Sequence, residues 1–268
     1  MKHLLQLEWM KYRGNKTMVI FFLSTVVLYP AGLLLTHLFI TTIIPEEMPV
    51  DLFKFPEIWS LTGYVANWIS YFFIALLGMQ MITLEYSGKT LRQNLITGLT
   101  RTEFLMSKVL FLALTCLVLT IWFGIVTLLL GLYSGSELRF EISEVSKYLF
   151  LHFLMVFAYG FASLLIGLIF RVLALSFILF FIYASFIEPA FSRLVHNNIF
   201  GGNTYLYYPA NAFNDLLPFP YYSQITEMLP PEEQIQFTLS ESHAIVASLI
   251  YLGLLGLLAW RKMERSNF

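Results

Sequence analysis

The chain has 268 residues, 58% hydrophobic and 12% charged, with a mean hydropathy of +0.72 and a formal net charge of -1. Soluble domains carry roughly 25% charged residues, so this composition excludes a soluble globular protein, and its long apolar runs mark an integral membrane protein. The near-neutral charge gives no electrostatic reason for a nucleic-acid partner, and a lone cysteine, Cys116, excludes an intrachain disulfide or a cysteine metal site and reads as a packing residue.

In residues 1–16, Leu5, Trp9 and Tyr12 recur at helical spacing among Lys2, Lys11, Arg13 and Lys16. This pattern predicts a short amphipathic helix on the membrane surface; the alternative is a basic flank that only sets topology. The next 28 residues, Thr17 to Ile44, are uncharged, against the roughly 7–15 of a signal-peptide core. A retained first span over about 17–44 is therefore expected, with Pro30 as a candidate kink and His37 as a packing or interfacial residue. Pro45 to Glu57 is acidic and punctuated by prolines, a loop. A second, uncharged span follows over 58–84, then the polar segment 85–108, then a third span over 109–133.

From Tyr148 to Ile187 the only Lys, Arg, Asp or Glu in 40 residues is Arg171. A single helix of that length would measure about 60 Å, twice the roughly 30 Å of a bilayer core. Two spans, about 148–170 and 172–187, with Arg171 in a tight turn between them, avoid both the length and a buried charge. His152 then lies near the outer end of the fourth span. The connection 188–242 has Arg193 as its only Lys or Arg and a middle rich in Tyr, Phe and Pro. Such aromatics collect at the membrane boundary, so short helices dipping into the outer leaflet are expected there; the alternative is a folded aromatic loop without membrane contact. The sixth span covers about 243–260. With the N-terminus inside, 12 of the 16 Lys and Arg fall on the inner side, leaving Lys54, Arg139, Lys147 and Arg193 outside. By the positive-inside rule both termini are cytoplasmic. The expectation is an all-α integral membrane fold of six spans forming a single transmembrane domain, 1–268.

Ser87-Gly88-Lys89-Thr90 imitates the end of a phosphate-binding loop, but Thr83 stands where its first glycine is required and a membrane helix precedes it. The histidines, at 3, 37, 152, 196 and 243, offer no helix-spaced metal pair. Acids do not cluster within the apolar runs, which argues against a proton relay. Gly160-Phe161-Ala162-Ser163 echoes a membrane serine protease, but without an evident histidine partner it reads as small-residue helix packing.

The series Glu85, Gly88-Lys89-Thr90, Leu95-Ile96-Thr97-Gly98-Leu99-Thr100-Arg101 and Lys108, together with the basic lead-in containing Glu8 and the six-span plan, resembles the permease subunit of ATP-binding-cassette transporters of the type 2 export class. One departure is Lys89 inserted between Gly88 and Thr90, where members often have Gly-Thr directly. The resemblance implies a multi-pass protein of the cell (inner) membrane with no ATPase and no cofactor of its own. It also implies a second permease subunit, as homodimer or heterodimer, and two cytoplasmic ATPase subunits that bind ATP and Mg. It implies a coupling helix within 85–108, with Glu85, Gly88, Lys89, Thr90, Arg92, Leu95, Gly98, Leu99, Arg101 and Lys108 as the residues of the coupling site. Local chemistry fits: Thr100 and Glu103 have capping-box spacing, Gly98 can break a helix, and Lys89 to Thr97 can form a short helix with Leu91, Leu95 and Ile96 facing a partner. A membrane anchor that borrows this plan is the competing function; a membrane enzyme lacks a polar constellation. Uncharged spans favour an amphipathic or lipid-like cargo over a metal ion.

Overall fold

The computed structural model describes residues 2–43, 50–96, 98–135, 142–220, 222 and 236–265. Among them there is no strand, and six helices are long and apolar enough to span a bilayer. The helices are α1 (Lys2–Arg13), α2 (Lys16–Ile43), α3 (Ile58–Ser87), α4 (Thr90–Ile96), α5 (Arg101–Tyr133), α6 (Ile142–Phe170), α7 (Leu173–Phe200), α8 (Pro209–Asn214) and α9 (Glu241–Arg265). The spans are α2, α3, α5, α6, α7 and α9.

Each span overlaps its expected apolar run to within a residue at the matching ends, but most reach further. Helix α3 continues to Ser87, and α9 covers Glu241–Arg265 in place of 243–260. Helix α5 starts at Arg101, eight residues before the expected 109, because the capping box at Thr100 forms as the spacing predicts: Glu103 N–H donates to Thr100 Oγ1 at 3.2 Å, and Thr100 N–H donates to Glu103 Oε2 at 2.9 Å. Helix α6 starts at Ile142, not 148. The largest correction is at α7, expected to end at 187. It runs on to Phe200 through two π-helical turns, Tyr183–Ile187 and Phe191–His196, which flank Pro189. Pro189 removes a helix donor, and the widened turns on either side carry the helix past it. The connection therefore starts at 201, not 188. Arg171 does form the predicted turn between α6 and α7, with φ +62°. Much of the expected loops, namely 44–49, 136–141 and 223–235, lies outside the described residues.

Helices α3 and α6 form the centre, each with 67% of its apolar stretch buried. In lipid, helices gain little from hydrophobicity and instead associate through close van der Waals packing at small residues. Here a Cβ at Gly78 would lie 2.3 Å from both the Gly160 carbonyl oxygen and Ser163 Oγ. The Gly160–Ser163 stretch is thus a helix contact. Around this centre stand α2, α7 and α9, whose apolar stretches are mostly exposed.

Helix α2 runs unbroken through Pro30. Proline has no N–H, so the carbonyl of Val26, four residues earlier, lacks its helical donor. The indole of Trp122 on α5 supplies one, Nε1 donating to Val26 O at 3.0 Å. A second apolar cluster surrounds this seam, with Tyr29, Trp59 and Phe123 at its heart. His152 is buried there, stacked on Phe123 at 4.3 Å and bonded through Nδ1 to Thr120 Oγ1 at 3.0 Å, a packing residue. His37 packs edge-on against Phe53 at 4.6 Å. Cys116 is fully buried in the main core.

At the end of the bundle that holds the start of α3, α8 packs against α6 and α9. Asn67 of α3 fixes the neighbouring chain by donating to the carbonyls of Asn214 and Leu217 at 3.0 and 3.3 Å. Asp215 is buried and accepts from Leu239 N–H and Asn211 Nδ2, both at 2.8 Å. Burial pushes its carboxyl up to about 7, these donors offsetting only part of the desolvation.

Two outcomes follow. Gly78→Ala forces a methyl into backbone and should destabilise the protein by about 1–3 kcal/mol, read as a lower unfolding midpoint in detergent. Asp215 binds its proton more tightly folded than unfolded. Its contribution is therefore complete below the unfolded value near 3.8 and is lost as pH rises through about 7. Unfolding midpoints should fall from pH 5 to pH 8, by up to about 1.4 kcal/mol per pH unit. Asp215→Asn, which keeps an acceptor oxygen, should flatten that dependence.

Candidate functional site

The opposite end of the bundle gathers α1, the 85–108 segment, the Arg171 turn and the end of α9. Their meeting point is Glu85, in the last turn of α3 and 1% exposed. Its Oε1 takes Lys108 Nζ of α5 and, at 2.7 Å, Lys11 Nζ of α1. Its Oε2 takes the Thr90 hydroxyl and, at 3.3 Å, the Asn94 amide, both of α4. One carboxylate thus holds three other helices. Lys108, fully buried, also reaches Glu8 Oε2 at 2.6 Å and Tyr12 OH at 2.7 Å. Ser107 donates to the other Glu8 oxygen at 3.2 Å, and Tyr12 donates to the Met81 carbonyl at 3.1 Å. Two carboxylates and two ammonium groups balance, and every buried charge is hydrogen-bonded, as burial of ions requires.

The face of α1 therefore differs from the expectation. Leu5, Glu8 and Tyr12 turn toward the chain's own core, and Trp9 and Met10, 58% and 55% exposed, are what α1 leaves outward. The sequence reading left Lys11, Tyr12 and Asn94 out of the site and gave Glu8 no role in it. The signal for Glu8 was present: an acid at helical spacing with Leu5 and Tyr12 sits on the apolar face, where a charge needs a buried partner.

The other expected site residues divide by position. Gly88 ends α3, its N–H bonding to Leu84 O at 2.9 Å. Lys89 adopts φ +55°, the left-handed conformation that reverses the chain into α4. Gly98 has φ +104°, which stops α4 as expected. Helix α4 covers Thr90–Ile96; the Leu95 side chain and Thr97 lie outside the described part of the chain. Leu91, expected on a partner surface, is instead buried at 3% exposure, and Leu99 packs against the core. Arg92, Gln93 and Ile96 are exposed, Ile96 at 75%, and with exposed Lys89 they form one face. Arg101 is turned away from that face: its guanidinium donates to the carbonyls of Met263, at 3.3 Å, and Glu264, near the C-terminus of α9. A cation there complements the helix dipole. Arg171 lies over the Tyr86 ring at 4.9 Å, so the α6–α7 turn belongs to the same end. Among the described residues no group of His, Cys, Asp and Glu could hold a metal.

The arrangement is a small amphipathic helix, outward face exposed, fixed by a buried carboxylate to the ends of three others. Lys108→Ala would leave two buried acids with only part-exposed Lys11 to balance them. A destabilisation of about 3–5 kcal/mol is expected, seen as a lower unfolding midpoint or a loss of folded yield.

Residues 4–187 match the family model described as ABC-2 family transporter protein. No curated protein matches the chain.

Proposed function

The chain belongs to the ABC-2 transporter family, the match spanning most of its length, and on that premise we propose that it is an export permease driven by separate ATPase subunits. Two ATPases and a second permease complete the complex, in the cell (inner) membrane, with both termini and the 85–108 segment in the cytoplasm. The Lys and Arg distribution supports this orientation, and the meeting of α1, α4 and the end of α9 at one end of the bundle agrees with an even number of crossings. ATP and Mg belong to the ATPase, since this chain has no complete phosphate-binding loop.

The observation that carries the reading is the bare face of α4. Lys89 and Arg92 offer cations and Ile96 an apolar anchor, a pattern suited to a groove rimmed by acids. Glu85, Lys108, Thr90 and Asn94 do not touch the ATPase in this reading; they are positioning residues. ATP-driven closure of the ATPases displaces α4. The Glu85 carboxylate, which bonds α4 through one oxygen and α1 and α5 through the other, carries that displacement into the spans. The close α3–α6 contact at Gly78 then moves two central helices as one. ATP drives the change only because the closed ATPase pair binds one permease arrangement better than the other.

Arg92→Glu combined with Ile96→Asp changes only exposed side chains. The variant should fold normally yet lose ATPase co-purification or transport-linked ATP hydrolysis. Transport at the wild-type rate with the complex intact would refute α4 as the docking element.

A further inference from the structure

At the other end of the bundle, α3, α6, α7 and α8 line an open cavity of about 360 Å³, within the range of small-molecule sites. Its polar lining includes Asn67, Tyr71, Tyr159, Ser185, Ser192 and Arg193. Most of these groups already serve one another. Tyr159 donates to Asn67 Oδ1 at 3.1 Å, and the hydroxyls of Tyr71 and Ser185 meet at 2.7 Å. Glu188, also in the wall and 3% exposed, spends both carboxylate oxygens on the N–H groups of Ala210 and Asn211, at 3.0 and 2.8 Å.

Arg193 is different. It is exposed where it lines the cavity, and among the described residues its guanidinium makes no hydrogen bond or ion pair; it acts on Asp215 only through space. It is the only Lys or Arg in 188–242, so no neighbouring cation in that stretch shares its role. The nearby acids are engaged: Glu188 as above, and Asp215 through Leu239 N–H and Asn211. A guanidinium with five donors in a fixed fork matches a phosphate or carboxylate. Tyr71 and Ser185 share a hydrogen bond and Ser192 donates to the Pro189 carbonyl at 3.3 Å, so the guanidinium carries the recognition, and a phosphate, with the higher charge and more acceptor oxygens, uses its fork best. Arg193 and Ser192 both come from the second π turn of α7, and such turns recur at functional sites. Next to the cavity the surface is apolar and open: Trp68, Phe191 and Leu194 are 54%, 48% and 68% exposed. A polar head held at Arg193 leaves a hydrocarbon chain free to lie along α7.

We propose that this cavity binds the phosphate head of an amphiphile, with Arg193 as its anion-recognising residue. Binding needs no ATPase, so it is measured on the isolated full-length chain, and the result stands apart from docking at α4. The chain is purified in the neutral detergent dodecyl maltoside, and dodecyl phosphate adducts are counted by native mass spectrometry. One saturable adduct is expected, weakened about tenfold or more by Arg193→Gln, the loss of a charge-assisted pair. Ala184→Phe, which fills the cavity from its α7 wall, should abolish the adduct, and this second variant decides the matter if Arg193→Gln proves poorly folded. Equal affinity in the folded variants, or only graded, unsaturable adducts, would overturn the site. Inorganic phosphate that displaces dodecyl phosphate at equal concentration would show a free-anion site and overturn the amphiphile.

Discussion

Everything at the α4 end of the molecule depends on the burial of three charges, Glu8, Glu85 and Lys108, beside a part-exposed fourth. Moving a carboxylate or an ammonium out of water costs several kcal/mol even after relaxation. That cost is tolerable only if the ions find each other with good geometry. Here Glu8, Lys11, Glu85 and Lys108 do so from three helices, with Tyr12, Thr90, Asn94 and Ser107 filling the remaining hydrogen-bonding capacity. Four apolar side chains could pack in the same space with equal stability, but they would not fix the register of α1 and α4 against α3 and α5. An ion cluster does, because a shift of one residue leaves a charge unpaired.

The transmembrane part follows a different rule. With hydrocarbon outside and inside alike, the bundle is held by shape and by the few polar groups that cannot face lipid. Gly78 lets α3 meet the backbone of α6. Trp122 answers the carbonyl that Pro30 leaves open. Asn67 and Tyr159 tie the centre to the segment around α8. The first joins the two central helices to each other, the second joins α2 to α5, and the third fastens the centre to the chain around α8.

The two ends of the bundle therefore differ in kind. At the α4 end the buried charges are balanced within the chain, and Arg92, Gln93 and Ile96 of α4 stay exposed. At the α8 end two acids are buried close together, Glu188 capping the amides of α8 and Asp215 holding Leu239, bridged through Asn211. The positive charge there, Arg193, forms no ion pair with either, although it acts on Asp215 through space. The charge balance thus separates the two ends of the bundle.

Much of this was legible in the residues. Six apolar runs separated by polar stretches specify six spans because a bilayer accepts little else, and the break at Arg171 followed from length and from the cost of burying its charge. Thr100 and Glu103 announced the start of α5, and Gly98 the stop of α4, because caps and breakers act within one turn of the chain. The reach of α7 past Pro189 did not follow, since a π turn depends on what the neighbouring helices satisfy. Nor did the inward turn of Leu91 or the engagement of Arg101 by the end of α9. Above all, Glu85 and Lys108 read as surface residues of a cytoplasmic segment, and the structure places them inside with Glu8. Sequence spacing fixes which residues share a helix face. Which faces meet across about 100 residues, as Glu8 and Lys108 do, is decided by packing, because a buried charge takes its partner from space and not from the chain.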